Sequence, residues 1–310
     1  MTFKVTILGS GSAKPSLTKH HSAQVVNLYE QYYLIDCGEG TQNRLLRAWV
    51  SPLKINTIFI SHLHGDHVFG LFPLISSMGL MGRKVPLHVF APRPFGEIME
   101  WHFRYFDTEL PFEVVWHEVD TTAHALLYEN NVVEVWSVPL RHRVPTAGFL
   151  FKEKVPPLNV RKEQIERLGL GVAQITAAKR GEDVVLADGT MVPNGDITYT
   201  PYPPRSYAYL SDTNYSGKAV SLVRGVDLLY HEATYADNMR KEAKQRGHAT
   251  TLQAVRAAQE SGAKRLIIGH FSSRYKDERV LLEECRNEFA ETYLAEEGRT
   301  FEIVAERKEK

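Results

Sequence analysis

Three histidines and one aspartate lie within six consecutive positions of this chain. The run reads Ser61-His62-Leu63-His64-Gly65-Asp66-His67 and directly follows an apolar stretch typical of a strand. Because side chains alternate along an extended chain, His62 and His64 can point to one side. A turn at Gly65 can then bring Asp66 and His67 to the same place. Imidazole and carboxylate groups suit zinc and related transition metals, so the segment predicts a metal site.

The number of ligands in this run indicates more than one ion. Four ligands cannot all serve one tetrahedral ion and still leave an open position for catalysis. Further candidates follow three other apolar stretches, at His142, Asp212 and His270. Considered alone, each of these three residues could equally well have a structural role or bind metal. Taken with the first run, they would complete two metal sites at one edge of a layered sheet structure.

The order of these residues resembles the metallo-β-lactamase superfamily and, within it, the ribonuclease Z family of endonucleases that trim the 3′ end of precursor tRNA. The resemblance covers essentially the whole chain. It implies an α/β fold of layered αββα type with a dinuclear zinc site at its edge, as a single domain over residues 1–310. Besides the metal run, the motifs that carry the resemblance are Leu8-Gly9-Ser10-Gly11, Leu34-Ile35-Asp36-Cys37-Gly38-Glu39-Gly40-Thr41-Gln42, Ser211-Asp212-Thr213, His231-Glu232-Ala233-Thr234 and His248-Ala249-Thr250.

The resemblance also implies how the ligands divide between two zinc ions per chain. One ion would be held by His62, His64 and His142. The second ion would be held by Asp66, His67 and His270, with Asp212 bridging the two. Asp66 is expected in addition to act as a general base toward the attacking water. An N-cap of the following helix is the alternative role for Asp66.

Two residues outside the predicted metal sites are expected to act in proton transfer. His248 has no place among the ligands, so it is predicted to donate a proton to the departing 3′ oxygen, or else to contact the phosphate. Glu232 is predicted to orient His248 through a hydrogen bond. A helix entry capped by Thr250 is the structural alternative for His248. Asp36 is expected to support a metal ligand in the same way, or otherwise to belong to a glycine-rich turn.

The segment 151–200 has a different composition from the rest of the chain. Between residues 151 and 180, seven basic residues face three acidic ones, whereas the whole chain balances 37 Lys and Arg against 37 Asp and Glu. The segment is interpreted as an inserted basic arm that binds precursor tRNA, with a solvated surface insertion as the alternative. It stands at the place of the family's protruding arm, and the resemblance implies a homodimer. The candidate RNA contacts are Lys152, Lys154, Arg161, Lys162, Lys179 and Arg180.

Three features depart from the family pattern. Ala249 stands where the family's His-Ser-Thr motif has serine, and Gly169-Leu170-Gly171-Val172 stands near the place of the arm's usual Gly-Pro element. The segment Pro203-Pro204-Arg205-Ser206-Tyr207 does not match a basic loop found in some members. These departures leave the geometry of the arm and the cleavage position open.

The elements that must position these residues follow from alternating apolar runs and turn residues. Helices are predicted to begin near Thr41, Val68 and Phe95, with a further helix after Thr250, and residues 66–78 are expected to form a cap followed by one apolar helix. Strands are predicted over residues 3–8, 24–28, 32–35, 57–60, 87–90, 132–138, 148–152, 206–210, 228–230 and 266–268.

Composition narrows the class of protein. The chain has 310 residues, of which 43% are hydrophobic and 24% charged, as in globular proteins. Its two cysteines are too few for a disulfide framework. We find no apolar run near the ~18 residues of a transmembrane helix and no signal-peptide pattern, so no membrane association and a cytoplasmic location are expected.

Three functions agree with these patterns. The first is a tRNA 3′-processing endonuclease, which the basic arm and the His248 motif favour. The second is a small-molecule phosphodiesterase or other hydrolase of the same fold, which would need neither feature. The third is a non-catalytic RNA-binding relative, which would be expected to have lost metal ligands, whereas all seven are present here.

Overall fold

The structure is a computed structural model that describes residues 2–14, 16–106 and 109–306. The chain divides into two compact units. The first comprises Met1–Lys152 and Ser206–Ile303, and the second comprises Glu153–Arg205 and Val304–Lys310. The segment predicted as an inserted arm, residues 151–200, overlaps the second unit.

Strands and α-helices account for the following residues of the described chain. The strands are β1 (Phe3–Gly9), β2 (Ala23–Leu28), β3 (Gln31–Ile35), β4 (Ile55–Phe59), β5 (Leu87–Ala91), β6 (Val114–Glu118), β7 (Leu126–Glu129), β8 (Val133–Pro139), β9 (Ala147–Glu153), β10 (Asn159–Val160), β11 (Val184–Val185), β12 (Met191–Val192), β13 (Thr198–Tyr199), β14 (Ser206–Leu210), β15 (Leu228–Glu232), β16 (Arg265–Gly269), β17 (Thr292–Leu294) and β18 (Thr300–Glu302). The α-helices are α1 (Thr41–Arg47), α2 (Gly65–Val68), α3 (Leu71–Leu80), α4 (Phe95–Phe106), α5 (Lys162–Leu168), α6 (Val172–Lys179), α7 (Asn194–Ile197), α8 (Gly217–Leu222), α9 (Arg240–Arg246), α10 (Thr251–Ser261) and α11 (Arg279–Arg286).

The first unit is a sandwich of two seven-stranded sheets. One sheet has the strand order β18-β1-β2-β3-β4-β5-β6, and the other has the order β17-β16-β15-β14-β9-β8-β7. Their inner faces share an apolar core, in which the ring of Phe59 lies 5.4 Å from that of Phe149 and 5.5 Å from that of Phe151. Side chains that point inward at every second position of the strands in both sheets form this core and hold the two sheets face to face.

Helices cover the outer face of each sheet. Buried residues of α1, α3 and α4 pack on the first sheet, and those of α8, α10 and α11 pack on the second. The arrangement is the αββα sandwich, an α/β fold, and it confirms the predicted fold class. All ten predicted strands are present, with ends within two residues of the predicted ones.

The helix expected over residues 66–78 is two helices. The short helix α2 ends at Val68, and α3 begins at Leu71 with Gly70 as its N-cap. The break occurs where the chain packs against the loop at Cys37, since Cys37 accepts a hydrogen bond from the Gly70 amide at 2.8 Å and donates one to the His67 carbonyl at 2.7 Å. A side chain at Gly70 would collide with the Gly38 backbone.

The second unit has a small core of its own. β10 pairs with β13 and β11 pairs with β12, both antiparallel, around a buried cluster formed by Leu170, Ala178, Val184 and Ile197. The buried carboxylate of Glu153 accepts hydrogen bonds at 2.8 Å from Nε and Nη2 of Arg205. This paired charge joins the two ends of the segment 153–205 inside its own unit.

The charge of this unit differs from the sequence-based expectation of a basic arm. Residues 153–205 contain seven basic and seven acidic residues, so the excess of positive charge is confined to the first half. The acidic residues of the second half are Glu182, Asp183, Asp188 and Asp196.

Among the described residues, we find no helix that is both long and apolar enough to cross a membrane.

Candidate metal centre

The segment 61–67 forms a turn between β4 and α2. His64 is the N-cap of α2, and Asp66 lies inside its first turn, so the alternative role of Asp66 as an N-cap is wrong. Gly65 does not adopt a positive φ. A β-carbon at this position would meet the ring of Phe69, but that side chain is exposed and can rotate away, so neither space nor turn conformation requires glycine there.

The structure brings the first predicted group of ligands together. The Nε2 atom of His62 lies 2.9 Å from Nδ1 of His64, and Nε2 of His142 lies 3.4 Å from the same Nδ1 atom. Oδ1 of Asp212 lies 3.8 Å from Nε2 of both His62 and His142. Burial lowers the pKa of all three histidines, most strongly that of His62. The rings are therefore neutral, with lone pairs that converge on one point.

The second predicted group lies on the other side of Asp212. Oδ2 of Asp66 lies 3.6 Å from Nε2 of both His67 and His270, and Oδ2 of Asp212 lies 3.2 Å and 3.4 Å from the same two nitrogens. Asp212 thus presents one oxygen to each group. The Nε2 atoms of His67 and His270 are buried and make no hydrogen bond.

These observations fit a bound cation better than a purely structural cluster. Buried polar atoms are normally hydrogen-bonded, and neutral imidazole nitrogens do not hydrogen-bond to one another when each presents a lone pair. Among the described residues, the metal-competent groups include the set His62, His64, His142 and Asp212 and the set Asp66, His67 and His270, with the ligand atoms of each set within 4.8 Å of one another. Both sets consist of nitrogen and carboxylate donors, which suit a divalent transition metal.

Asp36 holds His67 in place from behind. Its carboxylate accepts hydrogen bonds from Nδ1 of His67 at 2.7 Å, from the hydroxyl of Tyr209 at 2.7 Å, and from the amide and hydroxyl of Ser61 at 2.8 Å and 2.9 Å. Burial alone would lower the pKa of His67, but the carboxylates of Asp36 and Asp212 raise it well above its ordinary value. Asp36 thus fixes which nitrogen of His67 faces Asp66.

Three residues of this region have left-handed backbone conformations. The φ angles of Asp36, Asp212 and His270 are 55°, 56° and 58°. Asp36 and His270 directly follow β3 and β16, and Asp212 follows β14 after one residue. The change of backbone direction turns each side chain toward the edge of the sandwich. Few residues other than glycine adopt such angles unless the surrounding structure requires them.

His248 and Glu232 form a hydrogen-bonded pair beside the ligand groups. Nδ1 of His248 lies 3.0 Å from Oε1 of Glu232, and the ring centroid of His248 lies 5.3 Å from that of His270. Burial lowers the pKa of His248, but the charge of Glu232 more than offsets this, so the pKa is raised to about 9. Burial likewise raises the pKa of Glu232, and His248 lowers it below its ordinary value.

The helix entry that was the structural alternative for the His248 segment is present beside this pair. Thr250 is the N-cap of α10 and forms a capping box with Gln253. Glu232 is fully buried and also accepts hydrogen bonds from the amides of Thr213 and Ala249 and from the hydroxyl of Thr234. The start of α10 therefore keeps His248 within hydrogen-bonding distance of Glu232.

The two ligand groups and His248 open into one cleft of about 870 Å³. Its walls include residues that the sequence analysis did not identify: His21, Phe69, Arg143, Tyr235, Arg246 and Arg274. Nη2 of Arg274 and Nε of Arg246 bind the same carboxylate oxygen of Glu242, at 2.8 Å and 3.2 Å. Arg274 also lies over the ring of Tyr235. The only sequence signal for Arg274 was its position four residues after His270.

The six candidate RNA contacts are mostly exposed. Nζ of Lys152 lies 5.9 Å from the ring centroid of Trp136, and the guanidinium of Arg161 lies 5.6 Å from that of Tyr199. Lys162 and Arg180 pair with Glu166 and Glu182. Lys179 is exposed and Lys154 is half-buried. Exposed ion pairs of this kind are weak, so they would not prevent contacts with phosphate.

Two family models match parts of the chain. One, described as the anti-Pycsar protein Apyc1, matches residues 3–102, and the other, a β-lactamase superfamily domain, matches residues 169–271. The chain is 42% identical to a ribonuclease Z from Bacteroides fragilis, over 96% of this chain and 97% of the relative. A ribonuclease Z from Bacteroides thetaiotaomicron is 43% identical, over 96% of this chain and 94% of the relative.

The fold also resembles solved structures. The short form of human tRNase Z superposes with a TM-score of 0.71 at 29% identity, over 97% of this chain and 99% of that chain. The metallo-β-lactamase fold protein YhfI from Bacillus subtilis superposes with a TM-score of 0.70 at 18% identity, over 98% and 100% of the two chains. The second similarity shows the fold alone.

Proposed function

The chain belongs to the ribonuclease Z family, and on that premise we propose that it is an endoribonuclease that removes the 3′ trailer of precursor tRNA. It hydrolyses one phosphodiester bond and leaves a 3′-hydroxyl on the tRNA and a 5′-phosphate on the trailer. The observation that carries this proposal is the Glu232–His248 pair beside two ligand groups that share Asp212. Such a site combines anion binding with a positioned proton donor.

We further propose two zinc ions as the resident metals. His62, His64 and His142 would hold one ion, Asp66, His67 and His270 would hold the other, and Asp212 would bridge them. Bound there, such ions would supply hydroxide at neutral pH and neutralise charge on the phosphate. The rest of the proposed mechanism concerns side chains of this chain.

Asp66 is proposed to accept a proton from the attacking water. Burial alone would raise the pKa of Asp66, but the charges of the nearby His67 and His270 lower it well below its ordinary value. Its carboxylate is therefore ionised at neutral pH, and it lines the cleft. An ionised carboxylate in the cleft has the free lone pairs that are needed to accept a proton from water.

His248 is proposed to donate a proton to the departing 3′ oxygen. With its pKa raised to about 9, it is protonated at neutral pH. Nδ1 faces Glu232, so Nε2, on the other side of the ring, is the atom that can donate to substrate. An alkoxide leaves slowly without a proton, and general acid catalysis typically contributes about 10²–10⁴-fold.

The second unit is proposed to bind the body of the tRNA, in the manner of the family's arm. Support comes from the basic residues of its first half, at positions 154–180, which are mostly exposed. We also propose that the protein acts as a homodimer in the cytoplasm, where precursor tRNA would be its substrate. A small-molecule phosphodiesterase of the same fold is the alternative function.

One assay separates these functions. Purified protein is incubated with a labelled precursor tRNA and, separately, with bis(p-nitrophenyl) phosphate, and the RNA ends are mapped. Cleavage of the precursor at one position, with a 5′-phosphate on the trailer, supports the proposal. Hydrolysis of the small diester alone would indicate the alternative function.

A further inference from the structure

A second cavity opens from the catalytic cleft. It has a volume of about 380 Å³ and shares Ser12, Lys14, Ser272 and Ser273 with the cleft, so the two spaces are neighbours. Its walls come from residues 11–14 and 16–19 and from residues 271–278, which directly follow the metal-ligand candidate His270. We refer to it as the side cavity.

The side cavity has the chemistry of an anion site. Three lysines and one carboxylate line it. Nζ of Lys19 lies 2.8 Å from Glu278 and 5.2 Å from the ring centroid of Phe271, so Lys19 is held in place and neutralised. Lys14 and Lys276 form no ion pair with any carboxylate of the described chain. Two exposed positive charges therefore remain unpaired at the walls of this cavity.

The other wall residues suit a nucleotide. Ser12, Ser272 and Ser273 are among several hydroxyl side chains in the walls, and Tyr275 contributes an aromatic ring. Hydroxyl and ammonium groups bind phosphate and ribose oxygens, and aromatic rings stack with bases in proteins that bind single-stranded nucleic acids. The volume is near the lower end of the range for ligand pockets, about 300–1,000 Å³, which is enough for one nucleotide.

The position of His248 indicates whether the mature tRNA or the trailer enters this cavity. His248, Tyr235 and Arg246 line the cleft but not the side cavity. If His248 donates a proton to the departing 3′ oxygen, then the 3′ end of the mature tRNA lies beside His248. The trailer must then leave the cleft in another direction, and the side cavity adjoins the cleft at Ser12 and Ser272.

We infer that the side cavity binds the first trailer nucleotide and that Lys276 contacts the phosphate that follows it. This inference rests on the proposed function and extends it to the recognition of single-stranded RNA beyond the cleavage point. Lys276 acts in substrate binding and not in the chemical step, because it lies outside the cleft that contains the ligand groups.

The test compares Lys276→Gln with Lys218→Gln. Lys218 is an exposed lysine on α8 that lines neither space, so it is the matched control. Two precursors share one tRNA body; the first has a long single-stranded trailer and the second a trailer of one nucleotide, which lacks the phosphate in question. KM and kcat are measured for both, together with inhibition by mature tRNA and hydrolysis of bis(p-nitrophenyl) phosphate.

For Lys276→Gln we expect a KM for the long trailer that is about threefold to fivefold higher, as for the loss of one exposed ion pair. The slope of log KM against log salt should fall by about 0.7, the value for one phosphate contact on a single strand. The kcat for both precursors and the KM for the precursor with the one-nucleotide trailer should be unaffected. Inhibition by mature tRNA and hydrolysis of the small diester should also be unaffected.

Two results would overturn the inference alone. One is an equal change in the KM of both precursors and in the inhibition by mature tRNA. That result would mean that the cavity binds the mature tRNA rather than the trailer. The other is wild-type cleavage of the precursor with no difference between the two variants. If the wild-type protein leaves the precursor uncut, the proposed function itself fails, and the inference fails with it.

Discussion

Replacing Glu232 by glutamine should change the pH dependence of tRNA cleavage rather than its rate at all pH values. The substitution keeps the size of the side chain and an oxygen that can accept the hydrogen bond from His248, which is now 3.0 Å from Oε1. It removes the charge that is the largest contribution raising the pKa of His248. His248 should therefore lose its proton at a lower pH in the variant.

The size of the effect follows from the pKa. In the native protein the pKa of His248 is raised to about 9, so about nine-tenths of the molecules carry the proton at about pH 8. With an ordinary pKa of about 6.5, only about 3% would carry it, a loss of about 30-fold. At about pH 6 the loss would be less than about twofold. Asp212 and Asp66 remain in the variant, and bound cations lower the pKa of His248, so about 30-fold is an upper value.

The assay is kcat for precursor tRNA between about pH 6 and about pH 9, with bis(p-nitrophenyl) phosphate as the control substrate. The p-nitrophenolate ion leaves without a proton, so its release should show no extra loss at alkaline pH. Because Glu232 also accepts bonds from Thr213, Thr234 and Ala249, circular dichroism and thermal unfolding must show an intact fold. A loss of equal size at every pH would refute the role of Glu232 in holding the proton on His248.

Three further outcomes are expected. Asp212→Ala should remove more bound metal than His142→Ala, since Asp212 presents an oxygen to each ligand group; metal analysis of protein purified without chelators checks this, and equal losses would contradict it. Asp36→Asn should weaken metal affinity by about 10–100-fold while circular dichroism stays unchanged, as measured by competition with a chelator; an unchanged affinity would mean that Asp36 serves only the turn. Deletion of residues 155–200 should raise KM for precursor tRNA at least about tenfold through lost phosphate contacts and spare hydrolysis of the small diester; equal losses on both substrates would show that the segment supports the first unit.

The metal-ligand candidates could be found from the sequence because each lies at a strand end or in the short turn and helix that follow one, and an apolar run marks the strand. Parallel strands such as β14, β15 and β16 bring their carboxyl ends to one edge, so Asp212, Glu232 and His270 could be expected to meet there. The same reasoning could not find Tyr209 or Arg274. Their functional contacts, to Asp36 and to Glu242, join residues that are distant in sequence and carry no local pattern.

The strands missed in the first unit have a common physical feature. They are β6, β7, β17 and β18, and each lies at an edge of one of the two sheets. An edge strand pairs on one side only and is less buried, as in β7, which has no buried residue. It therefore needs no apolar alternation. The neutral charge of residues 153–205 differs from the expected basic charge for another reason. The basic excess lies in residues 151–180, and the acidic residues that balance it come after residue 180.

If the proposed metal ions bind, the left-handed backbone at Asp36, Asp212 and His270 would link the supply of metal to the lifetime of the polypeptide. Conformations of this kind cost roughly 1–3 kcal/mol each, which together is a sizeable part of the roughly 5–15 kcal/mol that stabilises a typical domain. Without a cation, Asp212 and His270 would lack the metal bonds that offset this cost, whereas Asp36 would keep its hydrogen bonds to Ser61, His67 and Tyr209. A newly made chain would therefore unfold more often, and be degraded sooner, when metal is scarce. The cell would then keep copies of this protein in proportion to the metal available to load them.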